Sequence, residues 1–183
     1  KTYLAKDAHF VQGYGMTEAG MITSNPLHGA RLAGTVGMPL RGVELRVVDA
    51  DGRTLPAGEV GSIEIRGPNV FAGYWGMPEK TAAEFRPDGF FITGDLGSQA
   101  ADGRVTLVSR ARDLIISGGY NIYPKEIELG IDELPGVSES AVVGVPHPDF
   151  GEAVVAVVVP KRDATLEEAA LMDAIGPRLA RFK

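Results

Sequence analysis

A chain of 183 residues, 44% of them hydrophobic and 23% charged, is rich enough in apolar residues to bury a core, and at about 150 residues per domain it forms one domain or two small ones. Its 18 Lys plus Arg against 24 Asp plus Glu give a net charge of -6, which leaves no basic footprint for nucleic acid. Cysteine is absent, so disulfides, zinc thiolates and cysteine nucleophiles are excluded, and the longest apolar run, 153–159, is far short of the roughly 20 residues of a membrane span.

No signal peptide opens the sequence as read, and a cytoplasmic location is the expectation. The start at Lys1 and the stop at Arg181-Phe182-Lys183, directly after an amphipathic segment, read as an excised piece of a longer protein. With 24 glycines and 12 prolines spread among hydrophobic runs, the chain is expected to use many short elements and tight turns. From Val36 to Val108 these are mostly antiparallel strands of a small barrel or sandwich. Val43–Val48 alternates with period two and leads into Asp51-Gly52, a dipeptide suited to a hairpin turn. Ser62–Gly67 alternates again, Gly89–Thr93 is a third run, and Asp102-Gly103 turns into Arg104–Val108. Between them Pro78–Phe85 is a helix with proline in its first turn.

Beyond about Arg110 the pattern changes to α+β. Pro124 starts a helix on which Ile127, Ile131 and Leu134 form one apolar stripe. Ser140–Val145 and Ala153–Val159 are β-branched strands joined by a rigid loop, Pro146–Gly151. Thr165-Leu166-Glu167-Glu168 has the form of a capping box, its helix carrying Leu166, Ala169, Met172 and Ile175 on one face, and Gly176-Pro177 should break or kink it. A β unit is therefore followed by a unit of about 70 residues, with the joint near Arg110–Asp113. There is no internal repeat.

Three segments concentrate chemistry-bearing residues. Gln12–Glu18 sets an aromatic ring, two glycines, a hydroxyl and a carboxylate together: a purine-stacking face, backbone that approaches a phosphate, a phosphate donor and an oxygen ligand for Mg²⁺. Taken alone, it also reads as a glycine turn whose Thr17 caps a following helix. Phe91–Asp95 ends a strand with a carboxylate able to accept both ribose hydroxyls, or with a strand-terminating Asx turn. Ser109–Glu128 carries charge, an apolar run, the pair Gly118-Gly119 and a helix start in one block. His9 and His28 sit in polar surroundings and His147 between prolines, with no second ligand at metal spacing.

In this order the segments resemble the adenylate-forming superfamily of acyl-CoA synthetases, peptide-synthetase adenylation domains and firefly luciferase. The resemblance rests on Gly13-Tyr14-Gly15-Met16-Thr17-Glu18, on Gly58–Gly61 with Ile63–Tyr74, on Thr93-Gly94-Asp95, and on Arg110–Asp113 through Gly118-Gly119 to Pro124–Glu128. It implies the end of a large AMP-binding domain over 1–111 and an incomplete, mobile small domain over 112–183. It also implies a two-step reaction, in which ATP and a carboxylate give acyl-AMP and pyrophosphate and a thiol, usually that of coenzyme A, displaces AMP. By resemblance Gly13, Tyr14, Gly15, Met16, Thr17, Asp95 and Arg110 bind nucleotide. Tyr14 stacks on adenine, Thr17 bonds the α-phosphate, Glu18 holds Mg²⁺, and Asp95 with Arg110 grips the ribose; Thr17 and Glu18 are the catalytic pair. Arg112 is the hinge, and Ser117, Gly118 and Gly119 line the tunnel for the CoA thiol arm.

Departures from the family pattern also matter. Its upstream phosphate loop and downstream lysine motif are absent from these 183 residues, and Lys183 falls just before the lysine position; ATP, Mg²⁺ and CoA would be needed, but this piece alone is expected to be inactive. Ser109 replaces a usual glycine, and Gly176-Pro177 interrupts a commonly continuous helix. Tyr14–Glu18 with Thr23–Pro26, and Gly73–Thr81, look most like malonyl-CoA synthetases, so malonate or a related short acid is the expected carboxylate. Two alternatives are an adenylation domain that loads a carrier protein and a nucleotide-binding module without chemistry. The oligomeric state is not legible in the sequence.

Overall fold

The computed structural model describes residues 11–180, so Lys1, His9 and the Arg181–Lys183 end lie outside the described residues. The backbone divides between Leu107 and Val108 into two compact units. In the first, β1 (Gly13–Met16) and β2 (Gly20–Ser24) form an antiparallel hairpin, with β3 (Met38–Pro39) on the far side of β2. A four-stranded sheet has the order β4 (Glu44–Val48), β5 (Gly61–Arg66), β6 (Phe91–Gln99), β7 (Val105–Arg110), the last strand belonging to this unit as far as Leu107. Val36 N donates to Val105 O and Val105 N to Gly37 O, which stitches the segment entering β3 to β7 and joins the two sheets.

The alternating runs met in the sequence are these strands, and their inward residues make the core: Ile22, Ile63, Ile65, Phe91 and Val105 with Tyr14 and Ala19, backed by Phe71 and Phe85. Phe71, Phe85 and Phe91 contact one another with ring centroids 5.2–5.9 Å apart, Phe71 meeting Phe91 edge to face and Phe85 lying tilted against both. The expected helix is present as α1 (Pro78–Glu84), with proline in its first turn. One strand position departs from period two. Glu64 is fully buried between Ile63 and Ile65, its carboxylate held by Arg46 Nε at 2.9 Å and Arg86 Nε at 2.7 Å.

In the second unit a 3₁₀ turn at Ala111–Asp113 leads to the hairpin β8 (Ile115–Ser117) and β9 (Tyr120–Ile122), then α2 (Pro124–Asp132), β10 (Val137–His147), β11 (Gly151–Pro160) and α3 (Glu168–Ile175). The sheet order is β10-β11-β8-β9, all antiparallel. Ile127, Ile131 and Leu134 are buried as one stripe against Ile115, Ile122, Val137, Val142 and Ile175. The β10–β11 ladder runs as far as His147 paired with Gly151, so the connecting loop is shorter than the expected Pro146–Gly151.

The capping box at Thr165 does not form. The helix begins at Glu168 with Glu167 as its N-cap and no side-chain cap bond. Its inward residues are Leu171 and Ile175, with Leu166 packed on the core ahead of it, while Met172 and Ala169 face solvent. As expected, Gly176-Pro177 ends α3, and a 3₁₀ turn over Gly176–Arg178 follows.

Candidate nucleotide site

The Gly13–Glu18 segment is β1 and the turn after it, not a turn into a helix: Thr17-Glu18-Ala19 link β1 to β2, and Thr17 stands exposed at the turn. Backbone crowding alone requires glycine at two positions here. A Cβ on Gly15 would lie 2.4 Å from Gly20 O, and one on Gly13 would lie 2.8 Å from Thr23 O. The hairpin register slips between Tyr14 and Gly15, where one step on β1 faces two on β2. Such a bulge bends the strand locally and redirects its side chains.

A second irregularity places Asp95. On β5 the step from Ser62 to Glu64 is matched on β6 by the span from Leu96 to Ile92, so Thr93-Gly94-Asp95 bulge out of the ladder. Gly94 takes φ +75 there, a left-handed conformation that glycine adopts without strain. Thr93, nearly buried, locks the bulge: its hydroxyl donates to Ile63 O at 2.8 Å and accepts from Asp95 N at 3.1 Å.

The two irregular segments converge. Tyr14 Oη donates to Asp95 Oδ2 at 2.5 Å, across 81 residues of sequence. The Tyr14 ring is 7% exposed and belongs to the core, so its hydroxyl holds Asp95 while its body packs.

Glu18 is fixed by the loop between β5 and α1. Phe71 N donates to Glu18 O at 2.8 Å, and Asn69 Nδ2 donates to Ala19 O and Met21 O, which clamps the turn. Tyr74 Oη lies 3.1 Å from Glu18 Oε1 and 2.7 Å from Glu84 Oε2 on α1. Burial, followed by these two carboxylates, pushes the Tyr74 phenol well above its ordinary range, so it stays protonated and can act as a donor. The parts played by Tyr74, Asn69, Glu84 and Thr93 are not legible from residue types alone, although Asn69 and Tyr74 lie in the Ile63–Tyr74 segment that precedes α1 and Thr93 stands two residues before Asp95.

The remaining sequence candidates, Arg110, Arg112 and Ser117–Gly119, lie in the second unit. Arg110, exposed, ends β7; Arg112 is exposed in the 3₁₀ turn, with Nε 3.5 Å from Asp113 Oδ1. Gly118 (φ +55) and Gly119 (φ +82) are the two central residues of the β8–β9 hairpin, where two positive φ angles in succession demand a glycine-like pair. Gly118 N donates to Phe150 O at 2.9 Å, and His147 stacks on Phe150 with centroids 4.9 Å apart. His28 is exposed, and among the described residues no group of three His, Asp or Glu side chains could hold a metal. Glu18 fits Mg²⁺ in the other common way, as one carboxylate alongside substrate phosphates and water. Among the described residues its Oε2 has no hydrogen-bond donor, while Oε1 is held by Tyr74.

With this geometry in hand, comparison with known proteins is decisive for the family. The family model described as AMP-binding enzyme matches residues 1–75, and that of the AMP-binding enzyme C-terminal domain matches residues 126–183. The chain belongs to the AMP-binding enzyme family. Its sheets and helices are those of the family's α+β fold. A feruloyl-CoA synthase of Amycolatopsis sp is 44% identical over 99% of this chain and 37% of its own length. A malonate–CoA ligase of Arabidopsis thaliana is 43% identical over 81% of this chain and 24% of its own. The crystal structure of ATP-bound MatB from Rhodopseudomonas palustris superposes with a TM-score of 0.91 at 57% identity, covering 94% of this chain and 35% of MatB. The chain thus spans about a third or less of the length of these family members. Among the described residues no helix is long and apolar enough to cross a membrane.

Proposed function

We propose that this chain is a piece of the C-terminal region of an ATP-dependent acid–thiol ligase. The ligase joins a carboxylate, malonate or a related short acid, to coenzyme A through an acyl-adenylate, and its small domain begins at Arg112. The observation that carries the reading is the Tyr14–Asp95 hydrogen bond, because it brings the adenine and ribose candidates of two distant motifs to one place. Support for a CoA acceptor and for ATP comes from the names of the feruloyl-CoA synthase and of ATP-bound MatB; support for malonate comes from the Arabidopsis ligase and from the sequence likeness around Tyr74.

In the first step a carboxylate oxygen attacks the α-phosphorus of ATP and pyrophosphate leaves; in the second a thiol sulfur attacks the acyl carbon and AMP leaves. Charge neutralisation at the phosphoryl group and placement of the attacking atom are what the protein contributes. Asp95, oriented by Tyr14 and by Thr93, accepts hydrogen bonds from the ribose hydroxyls and Arg110 donates to them, while the Tyr14 side chain flanks adenine. Thr17, exposed at its turn, donates to the α-phosphate. Glu18 offers Oε2 to Mg²⁺, which when bound neutralises phosphate charge. Ser117, Gly118 and Gly119 give the thiol arm a wall without obstructing side chains, and Arg112 is the point about which the small domain turns between steps.

A charge-assisted hydrogen bond contributes about 1.5–3 kcal/mol, or one to two decades in affinity. In the complete ligase Asp95→Ala is therefore expected to raise the KM for ATP about 10- to 100-fold and that for malonate far less. Steady-state kinetics with each substrate varied in turn measures both. An equal rise in the two KM values would rule out the ribose role.

A further inference from the structure

Among the described residues, the Tyr74 hydroxyl faces two carboxylates with a single proton. Glu84 Oε2 is 2.7 Å away and Glu18 Oε1 is 3.1 Å away. A phenol can donate to one of them at a time, so two negative charges share one donor. The nearest compensation is Lys80, whose Nζ lies over the Tyr74 ring at 4.1 Å and 4.0 Å from Glu84 Oε1. Lys80 balances one carboxylate and leaves the other, and the free Oε2 belongs to Glu18.

Tyr74 itself is held firmly. Its backbone N–H donates to Thr81 Oγ1 at 2.9 Å, Thr81 in turn donates to Met77 O, and the Phe71 ring meets Tyr74 edge-on at 4.8 Å. The preceding residue must be glycine, since its φ is +139 and a Cβ would lie 2.5 Å from Thr81 Cγ2. A rigid donor aimed at one oxygen of a carboxylate leaves the other oxygen free in a defined direction, which is how outer hydrogen bonds orient metal-binding carboxylates.

We propose that Tyr74 is the positioning residue for Glu18: with Lys80 balancing Glu84, the hydroxyl gives its single proton to Glu18 Oε1, so that Oε2 presents to the divalent cation of the nucleotide complex. This rests on the proposed assignment of Glu18 as the Mg²⁺ ligand, and it adds residues of α1 to the machinery. Tyr74→Phe removes only the hydroxyl and keeps the ring on Phe71 and Lys80.

The test is Mn²⁺ binding to the complete ligase in the presence of saturating ATP and the absence of carboxylate, read by electron paramagnetic resonance of free Mn²⁺. Losing an outer hydrogen-bond partner typically costs 10- to 100-fold in metal affinity. Tyr74→Phe is thus expected to weaken Mn²⁺ about tenfold or more, with circular dichroism and melting temperature unchanged, and to raise the Mg²⁺ concentration for half-maximal pyrophosphate release in parallel. Glu18→Gln should weaken Mn²⁺ at least as much. If Glu18→Gln weakens Mn²⁺ and Tyr74→Phe does not, the positioning role is overturned while Glu18 stands as ligand. If Glu18→Gln itself leaves Mn²⁺ affinity unchanged, the ligand assignment fails and the positioning role fails with it.

Discussion

A carboxylate without solvent is the most demanding placement in the first unit, and it occurs at Glu64, where period two expects an outward side chain. The β4–β5 register sets Arg46 directly opposite Glu64, and Arg86 closes from beyond α1. Arg46 is also fastened to Asp88 at 2.6 Å and stacks its guanidinium 3.9 Å from the centre of the Phe90 ring. None of this is legible from alternation, because register and the return of the chain at Arg86 are properties of the folded sheet. Removing one arginine leaves Glu64 a partner, whereas removing both leaves a buried charge unpaired, for which the cost is about 3–5 kcal/mol. In urea titrations, Arg46→Ala and Arg86→Ala should each lose only about 0.5–1.5 kcal/mol, because the remaining arginine still pairs the charge, and the double variant about 3–5 kcal/mol, more than their sum. Simple additivity would show that water or another side chain reaches Glu64.

Elements were easier to read than their ends. The strands at 44–48, 61–66 and 105–110 and the helices at 78 and 124 follow from alternation, from Pro in a first turn and from the stripe Ile127, Ile131, Leu134. The start of α3 did not follow, for a reason magnitudes explain. A side-chain N-cap contributes about 1 kcal/mol, and burying a leucine about 1.5–3 kcal/mol. Leu166 therefore stays out of the helix to pack on the second core, close to Gly136, and Thr165 loses its capping geometry. The hairpin at Gly13–Ser24 was hidden too, since Gly-rich strands carry little periodicity, and so was the bulge that aims Asp95. The candidate site was thus legible as residue types in order, while the hydrogen bonds that aim Asp95 and Glu18 were not.

The 3₁₀ turn at Ala111–Asp113 allows the hinge reading to be tested at the scale of one element. Arg110 before it is extended, with φ -84 and ψ 144, which a following proline tolerates, and Ala111 is the first residue of the turn, where proline fits best. Ala111→Pro stiffens the turn without removing the hydrogen bond from Leu114 N to Ala111 O. In the complete ligase it should change adenylate formation and thioester formation unequally. Adenylate formation is expected within about tenfold of the parent and thioester formation much lower, because a hinge serves the passage between steps and touches neither substrate. Pyrophosphate release and single-turnover thioester formation from preformed acyl-AMP measure the two. Equal losses would remove Arg112 from the role of pivot.

At the scale of the whole chain, each unit has its own core: Ile22, Ile63, Ile65, Phe91 and Val105 in one, Ile115, Ile122, Ile131 and Val137 in the other. Cores of this kind allow the chain to fold with Tyr14, Thr17, Glu18 and Asp95 in place, so ligand affinity can be measured on the 183 residues themselves. The sequence contains neither the glycine-rich phosphate loop nor the Gly-Lys motif of the family, and the triphosphate carries most of the charge of ATP. What it retains are the residues proposed for ribose, adenine, phosphate and metal, few groups with which to offset the loss of translational and rotational freedom on binding. Affinity weaker than about 1 mM, equivalent to less than about 4 kcal/mol, is the expected result of calorimetry with ATP and Mg²⁺. A malonate-dependent pyrophosphate assay on the same material should show no turnover. Micromolar binding, or any turnover, would mean that Tyr14, Thr17, Glu18 and Asp95 suffice without the phosphate loop and the lysine, and the division of labour proposed for the ligase would have to be redrawn around these four residues.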